Sequence, residues 1–235
     1  MSILVPVSGG PDSLYALKKA VEYGKGVHAF LMEHSCGDER INSGAWAPGA
    51  RVGHRGMAAA AAHFVDYFKE SIIKVHRYTV HVPYLHWEQG EYTGEYNQLR
   101  YVEYYFIAPI VNILLDNLDI TAISMGVCRE EFDMVEDISQ HEDYRYDAQT
   151  LGAAYRALLN GREVDRFFLT LPAPSKQDIR DYVGEYFWGV SVSCHMPTNN
   201  NQGVCGKCVK CEARATTEYR GNAGTWSGPE AKGEQ

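Results

Sequence analysis

The sequence predicts an α/β fold, a parallel sheet with helices on both faces. Three observations carry that prediction. Short apolar runs alternate with helix-period stripes along most of the chain. Two of the runs, Ile3 to Val7 and Asp119 to Met125, are closed by Ser8-Gly9-Gly10 and by Gly126. The chain has 235 residues, 45% hydrophobic and 22% charged, which suits one soluble domain that buries roughly 70% of its unfolded surface without disulfide staples. Strand, helix, strand, helix in this order implies right-handed crossovers and a parallel sheet covered on both sides. In such sheets ligands bind at the carboxyl ends of the strands. The glycine loop after Val7, Glu33-His34 and Gly126-Val127 are therefore expected to gather at one edge.

In chain order, Ile3 to Val7 (ILVPV) reads as a buried parallel strand, closed by Ser8-Gly9-Gly10. Ser13 to Tyr23 places Leu14, Leu17, Ala20 and Val21 on one helix face. Val27 to Met32 is a second strand. Residues 35–56 are rich in Gly, Ser, Asn and Pro and read as a long loop, either a lid over the ligand edge or a surface embellishment. Met57 to Lys69 is an alanine-rich helix, and Ile72 to Val82 is extended. Asn97 to Leu118 is a longer helix turning Ile107, Ile110, Val111, Leu114 and Leu115 to a core. Its aromatic approach, Tyr92 to Phe106, fits core packing better than a base-stacking or dimer surface. Asp119 to Met125 is a further strand. Gln149 to Leu159 reads as a helix and Val164 to Leu171 as an extended segment. Ser175 to Tyr186 is a helix opened by a Ser-x-x-Asp capping signal.

The formal net charge of −8 argues for a small-molecule substrate over a polynucleotide, because phosphate neutralisation supplies most nucleic-acid affinity. The longest wholly apolar run, Met57 to Ala62, is too short to span a bilayer. The opening residues lack a basic region and cleavage site, so the expectation is a cytoplasmic protein with no membrane partner.

Ser8-Gly9-Gly10-Pro11-Asp12-Ser13 joins the first strand to the first helix. The glycines let backbone N–H groups close on an anion, and Pro11 suits the first helical turn. A helix N-terminus offers free N–H groups and partial positive charge to a phosphate. Ser8 and Ser13 add hydroxyls, and Asp12 is placed to hold Mg²⁺ beside the phosphates. The alternative is a turn and helix cap with no ligand. Neither G-x-x-x-x-G-K-S/T nor G-x-G-x-x-G occurs.

Cys194, Cys205, Cys208 and Cys211 are four of the six cysteines, and three follow the spacing Cys-x-x-Cys-x-x-Cys. Four thiolates suit a closed tetrahedral zinc site of structural role. An iron–sulfur cluster is the rival, since the same spacing occurs in bacterial ferredoxins, although the usual following proline is missing. Cys36 and Cys128 read as ordinary thiols, and the nine histidines are scattered without an H-x-x-x-H pair.

Ser-Gly-Gly-x-Asp-Ser after an N-terminal strand resembles the loop of the PP-loop ATP pyrophosphatases, which adenylate a substrate and release pyrophosphate. Ser193-Cys194, then Cys205-Gly206-x-Cys208-x-x-Cys211-x-x-Arg214, resembles the zinc motif that ends the 7-cyano-7-deazaguanine synthases of that class. Leu171-Pro172 and Ser175-Lys176-Gln177-Asp178-Ile179 resemble their lysine helix, in the same order along a chain of similar length. The resemblance implies a PP-loop nucleotide-binding domain over residues 1–190 and a four-cysteine zinc segment over 191–220, while residues 221–235, Gly, Ser and charge with few apolar anchors, read as a flexible tail. It implies a C–N ligase of queuosine-type biosynthesis that uses ATP, Mg²⁺ and ammonia to turn 7-carboxy-7-deazaguanine into its nitrile, with a homodimer as its assembly. Lys176 would neutralise phosphate, and Arg100, Asp133 and Asp137 would meet the deazapurine substrate. The chain departs from the family in about twenty extra residues after Met32-Glu33-His34 and in the acidic stretch Glu130 to Asp137. Those departures keep three other readings open: an enzyme that stops at the amide or feeds DNA modification, a tRNA-modifying PP-loop enzyme, and a non-catalytic nucleotide-binding module.

Overall fold

Ile3, Leu4 and Val5 are all fully buried, so β1 (Ser2–Pro6) runs through the middle of the sheet with both of its faces covered. The computed structural model describes residues 2–35, 55–81, 102–126, 174–193 and 214–215. After β1 come α1 (Pro11–Glu22), β2 (Gly26–Ser35), α2 (Arg55–Tyr67), a 3₁₀ turn at Lys69–Ser71 and β3 (Ile72–His81). Then follow α3 (Val102–Asn117), β4 (Ile120–Ile123), α4 (Lys176–Val183) and α5 (Glu185–Val190). The four strands are parallel in the order β3-β2-β1-β4. The chain steps outward from β1 to β3 and then returns to lay β4 on the other side of β1. That reversal opens a crevice at the carboxyl ends of β1 and β4, where α/β sheets bind ligands.

The alternation of β1 and β2 divides the core. Ile3, Val5, Val27, Ala29 and Leu31 pack with Leu14 and Leu17 of α1, Phe64 of α2, Ile179 of α4 and Trp188 of α5. Leu4, Phe30 and Ile123 face the other way, against Val111, Leu114 and Leu115 of α3. Helices therefore lie on both faces, as the pattern predicts, with α3 alone among the described helices on the second. Each large apolar side chain buried this way contributes about 1.5–3 kcal/mol against leaving it in water. α4 lies along α1: Lys18 Nζ donates to the Tyr182 carbonyl at 2.7 Å, Tyr182 Oη bonds Glu22, and the Tyr15 and Tyr182 rings meet edge-on. Burial raises both phenols above their ordinary range. The nearby Asp178 carboxylate adds to this at Tyr15, and the hydrogen bond to Glu22 adds to it at Tyr182.

Two predicted elements differ from the structure. The helix read over 175–186 stops at Val183, and Gly184 turns at φ +83° before α5 begins. Ile179, Val183 and Phe187 are all buried at a spacing of four, so the apolar stripe runs unbroken across the turn and hides it. β2 continues to Ser35, pairing Glu33 with Thr79 and His34 with Val80 of β3, so Glu33-His34 lie within the strand and not past its end. Residues 36–54, the helix read over 149–159, the strand over 164–171, the cysteines and the tail over 221–235 lie outside the described residues. Among the described residues no helix is long and apolar enough to cross a membrane.

Candidate functional site

The turn from β1 into α1 is built by glycine for two separate reasons. Gly9 sits at φ +87°, a conformation L side chains rarely adopt, and a Cβ there would overlap the Met57 carbonyl oxygen of α2. Gly10 is the extended N-cap residue of α1; it offers no side chain to the first turn, and Pro11 follows where no N–H is needed. The helix therefore starts with N–H groups that no side chain caps, at the positive end of its dipole. Ser13 is turned inward. Its hydroxyl accepts from the Ser8 N–H at 3.2 Å and donates to the Gly10 carbonyl at 2.9 Å. It stiffens the loop from inside, while Ser8 stays exposed at its rim.

The end of β4 closes on this turn. A Cβ on Gly126 would lie 2.5 Å from the Ser13 nitrogen and 2.6 Å from the Asp12 carbonyl carbon. Ser124, fully buried, bonds the Leu4 carbonyl through its N–H at 2.9 Å and the Ala16 carbonyl through its hydroxyl at 2.6 Å. The glycine loop, α1 and the β4 terminus thus share one crevice edge, as the strand-end argument predicts.

Lys176 comes to the same place from 164 positions away. Its ammonium meets both carboxylate oxygens of Asp12, with the two side chains only 10% and 15% exposed. Local sequence chemistry aims it. Ser175 is the N-cap of α4: its hydroxyl accepts from the Asp178 N–H at 3.1 Å, and the Asp178 carboxylate accepts from the Ser175 N–H at 2.9 Å. This reciprocal capping box fixes the first residue of the helix, which is Lys176. The result is a cation and a carboxylate side by side at an uncapped helix N-terminus. Such a group of charges can receive a phosphate on the lysine and a divalent cation on the aspartate by exchanging partners.

Beneath the loop runs the segment after α5. The Val192 N–H donates to the Gly9 carbonyl at 2.9 Å, and Ser193 lies against Gly10. Arg214 reaches back to this segment and binds the Ser191 carbonyl at 2.9 Å and the Trp188 carbonyl.

Of the predicted site residues, the structure brings together Ser8, Gly9, Gly10, Pro11, Asp12, Ser13 and Lys176. Arg100, Asp133, Asp137, Cys194, Cys205, Cys208 and Cys211 lie outside the described residues. Val192 gains a role as a close neighbour of the loop that the sequence alone does not give it, whereas Gly126 lies against the loop as expected of a strand end. The signal for Gly126 is its position at a strand end, where the chain must pass a helix N-terminus without a side chain. The chain matches no protein-family model and no curated protein.

Proposed function

We propose that the chain is an ATP-dependent C–N ligase of the 7-cyano-7-deazaguanine synthase kind, within the PP-loop ATP pyrophosphatases. The observation that carries the reading is the meeting of Lys176 with Asp12 at the uncapped start of α1, in the crevice between β1 and β4. The glycine loop and the capped lysine helix stand far apart in sequence and converge on one edge.

In this reading the loop N–H groups and the α1 dipole hold the phosphates, and Lys176 offsets charge as pyrophosphate departs. Asp12 would hold the Mg²⁺ that accompanies ATP, which supplies further neutralisation of the phosphates when bound. The substrate carboxylate attacks the α-phosphorus and displaces pyrophosphate. Ammonia then attacks the acyl carbon, AMP leaves, and an amide results. A second adenylation, at the amide oxygen, releases another pyrophosphate; loss of AMP and the amide protons gives the nitrile. Two adenylations thus use two ATP. A carboxylate needs this activation because its oxygen is a poor leaving group until AMP carries it away.

Cys194, Cys205, Cys208 and Cys211 form a donor set that suits one structural zinc, with all four positions filled by thiolate. Ser193 and Arg214, which flank that set, both sit at the 188–193 segment beneath the loop, so a metal between them would fasten a short excursion of the chain. The test is incubation of purified protein with 7-carboxy-7-deazaguanine, ATP, Mg²⁺ and ammonium, following AMP and the base by mass spectrometry. Nitrile is expected. Amide alone would restrict the enzyme to one adenylation. If neither ATP nor the base changes, the proposal is wrong.

A further inference from the structure

Arg214 stands three positions past the last cysteine, and its guanidinium contacts α5 and the residue after it. It donates to the Ser191 carbonyl at 2.9 Å, donates to the Trp188 carbonyl, and stacks over the Trp188 indole at 4.8 Å from the ring centre. Trp188 is 1% exposed, and its indole nitrogen has no hydrogen-bond partner among the described residues, so the guanidinium face is a notable polar contact of that ring. The Trp188 carbonyl also accepts from the Ser191 hydroxyl at 2.8 Å. A cation at this position crowns the carboxyl end of a helix, where carbonyls lack intrahelical partners and the dipole is negative.

The next residue along carries the consequence. Val192 donates its N–H to the Gly9 carbonyl at 2.9 Å. A peptide group is planar and trans, so fixing the Gly9 carbonyl also fixes the opposite direction of the Gly10 N–H. Gly9, at φ +87°, holds a conformation that glycine adopts without a Cβ penalty, and this hydrogen bond fixes the direction of its carbonyl. Arg214 therefore acts on the loop through two links: it sets the 188–191 turn, and that turn sets Val192 against Gly9.

We infer that Arg214 is a positioning residue for an oligophosphate ligand of the glycine loop, holding the loop peptides in their binding geometry from below. The inference rests on the nucleotide reading of the loop. A lysine cannot replace the fork, because a single ammonium cannot bridge two carbonyls and cover an indole face together.

The test compares the full-length wild type with Arg214→Ala and Arg214→Lys, at a temperature where circular dichroism shows all three folded. Mg·ATP affinity is measured by titration calorimetry, and amide exchange at Val192 is measured without nucleotide. Both variants are expected to bind Mg·ATP at least tenfold more weakly, with faster exchange at Val192. Millimolar ethylguanidinium is expected to restore binding to Arg214→Ala and leave Arg214→Lys unchanged. A lowered melting temperature with wild-type affinity in the folded variants would overturn the positioning role. Unchanged exchange at Val192 would overturn the link itself. If the wild type binds no Mg·ATP, the nucleotide reading falls, and Val192 exchange alone then decides whether Arg214 governs the loop.

Discussion

Two pairs of polar side chains are brought together by this fold, and they do opposite things. Asp12 and Lys176 meet at the carboxyl edge of the sheet, opposite in charge and largely buried. His28 and His76 meet on neighbouring strands, Nδ1 to Nε2 at 2.9 Å, both buried on the α3 face of the sheet. Burial holds both imidazoles below their ordinary range, with the Lys74 ammonium adding to it at each and His28 adding to it at His76. The first pair consists of charges that a phosphate and a cation can exchange. The second is neutral, satisfied and closed. What separates the proposed site from a structural pair here is placement: one lies at the strand ends, where α/β sheets bind ligands, and the other lies on a packed face.

The largest effect expected from this contrast is on turnover. Lys176→Ala and Asp12→Asn should each lower the rate of ATP-dependent pyrophosphate release by about 10²–10³, the usual loss when one preorganised charge is removed from developing anionic charge. The double variant should lose little more than either single one, because the two side chains act as a unit. His28→Gln should leave the rate within about twofold at pH 7.5, since surface or structural changes away from the chemistry act mainly on stability. A coupled pyrophosphate assay on folded protein checks all four. A dead His28→Gln with an unchanged melting temperature would break the contrast.

A smaller effect, on stability, separates backbone strain from crowding. Gly9 and Gly24 both have positive φ, +87° and +77°. A Cβ on Gly24 meets nothing within 4 Å, whereas one on Gly9 overlaps Met57. Gly24→Ala should cost about 1–2 kcal/mol from conformation alone. Gly9→Ala should cost about 2–4 kcal/mol, because the α2 backbone must also move. Urea unfolding midpoints measure both, and equal losses would show that the loop yields without resistance.

Much of the glycine-loop edge was legible because its rules are local. Two glycines and a proline between an apolar run and a helix stripe say what the backbone must do, and Ser175 with Asp178 announces a helix start by hydrogen bonding alone. Strand order is not local. Nothing near Ile120 says that it returns beside β1, so the closeness of Gly126 to Ser13 depends on topology. The pairing of Lys176 with Asp12 is likewise a product of α4 lying on α1. Scattered histidines gave no motif because His28 and His76 meet only through the β2–β3 register, which shifts between Val27 and His28. Gly184 escaped notice because the buried stripe of Ile179, Val183 and Phe187 keeps its helical spacing through the turn.

The histidine pair supplies the pH dependence. Both rings titrate below their ordinary value in the folded protein, so in the window below about pH 6.5 the unfolded chain binds protons that the folded chain refuses. Stability should therefore fall as pH drops from that point toward the folded-state values, and should be fully present above it. Two neutral rings share one proton between facing nitrogens; two protonated rings would set N–H against N–H. Replacing both histidines with glutamine should flatten the profile between pH 6.5 and 5, read as urea midpoints at each pH. A slope that persists in the double variant would assign the dependence to other groups.

The smallest effect tests what aims the lysine. Ser175→Ala removes the hydroxyl that accepts from the Asp178 N–H, a loss of about 1 kcal/mol for a helix cap. That corresponds to roughly 2–4 °C in melting temperature for a chain of this size. Turnover should fall much less than in Lys176→Ala, because Asp12 still draws the ammonium to the loop when the first turn of α4 frays. Ser175→Thr keeps the hydroxyl and should behave as wild type. A Ser175→Ala variant as inactive as Lys176→Ala would make the capping box, and not the aspartate, the element that holds the charge in place. The ion pair would then be a consequence of the helix start, and its ability to exchange with a phosphate would depend on how rigidly that first turn is held.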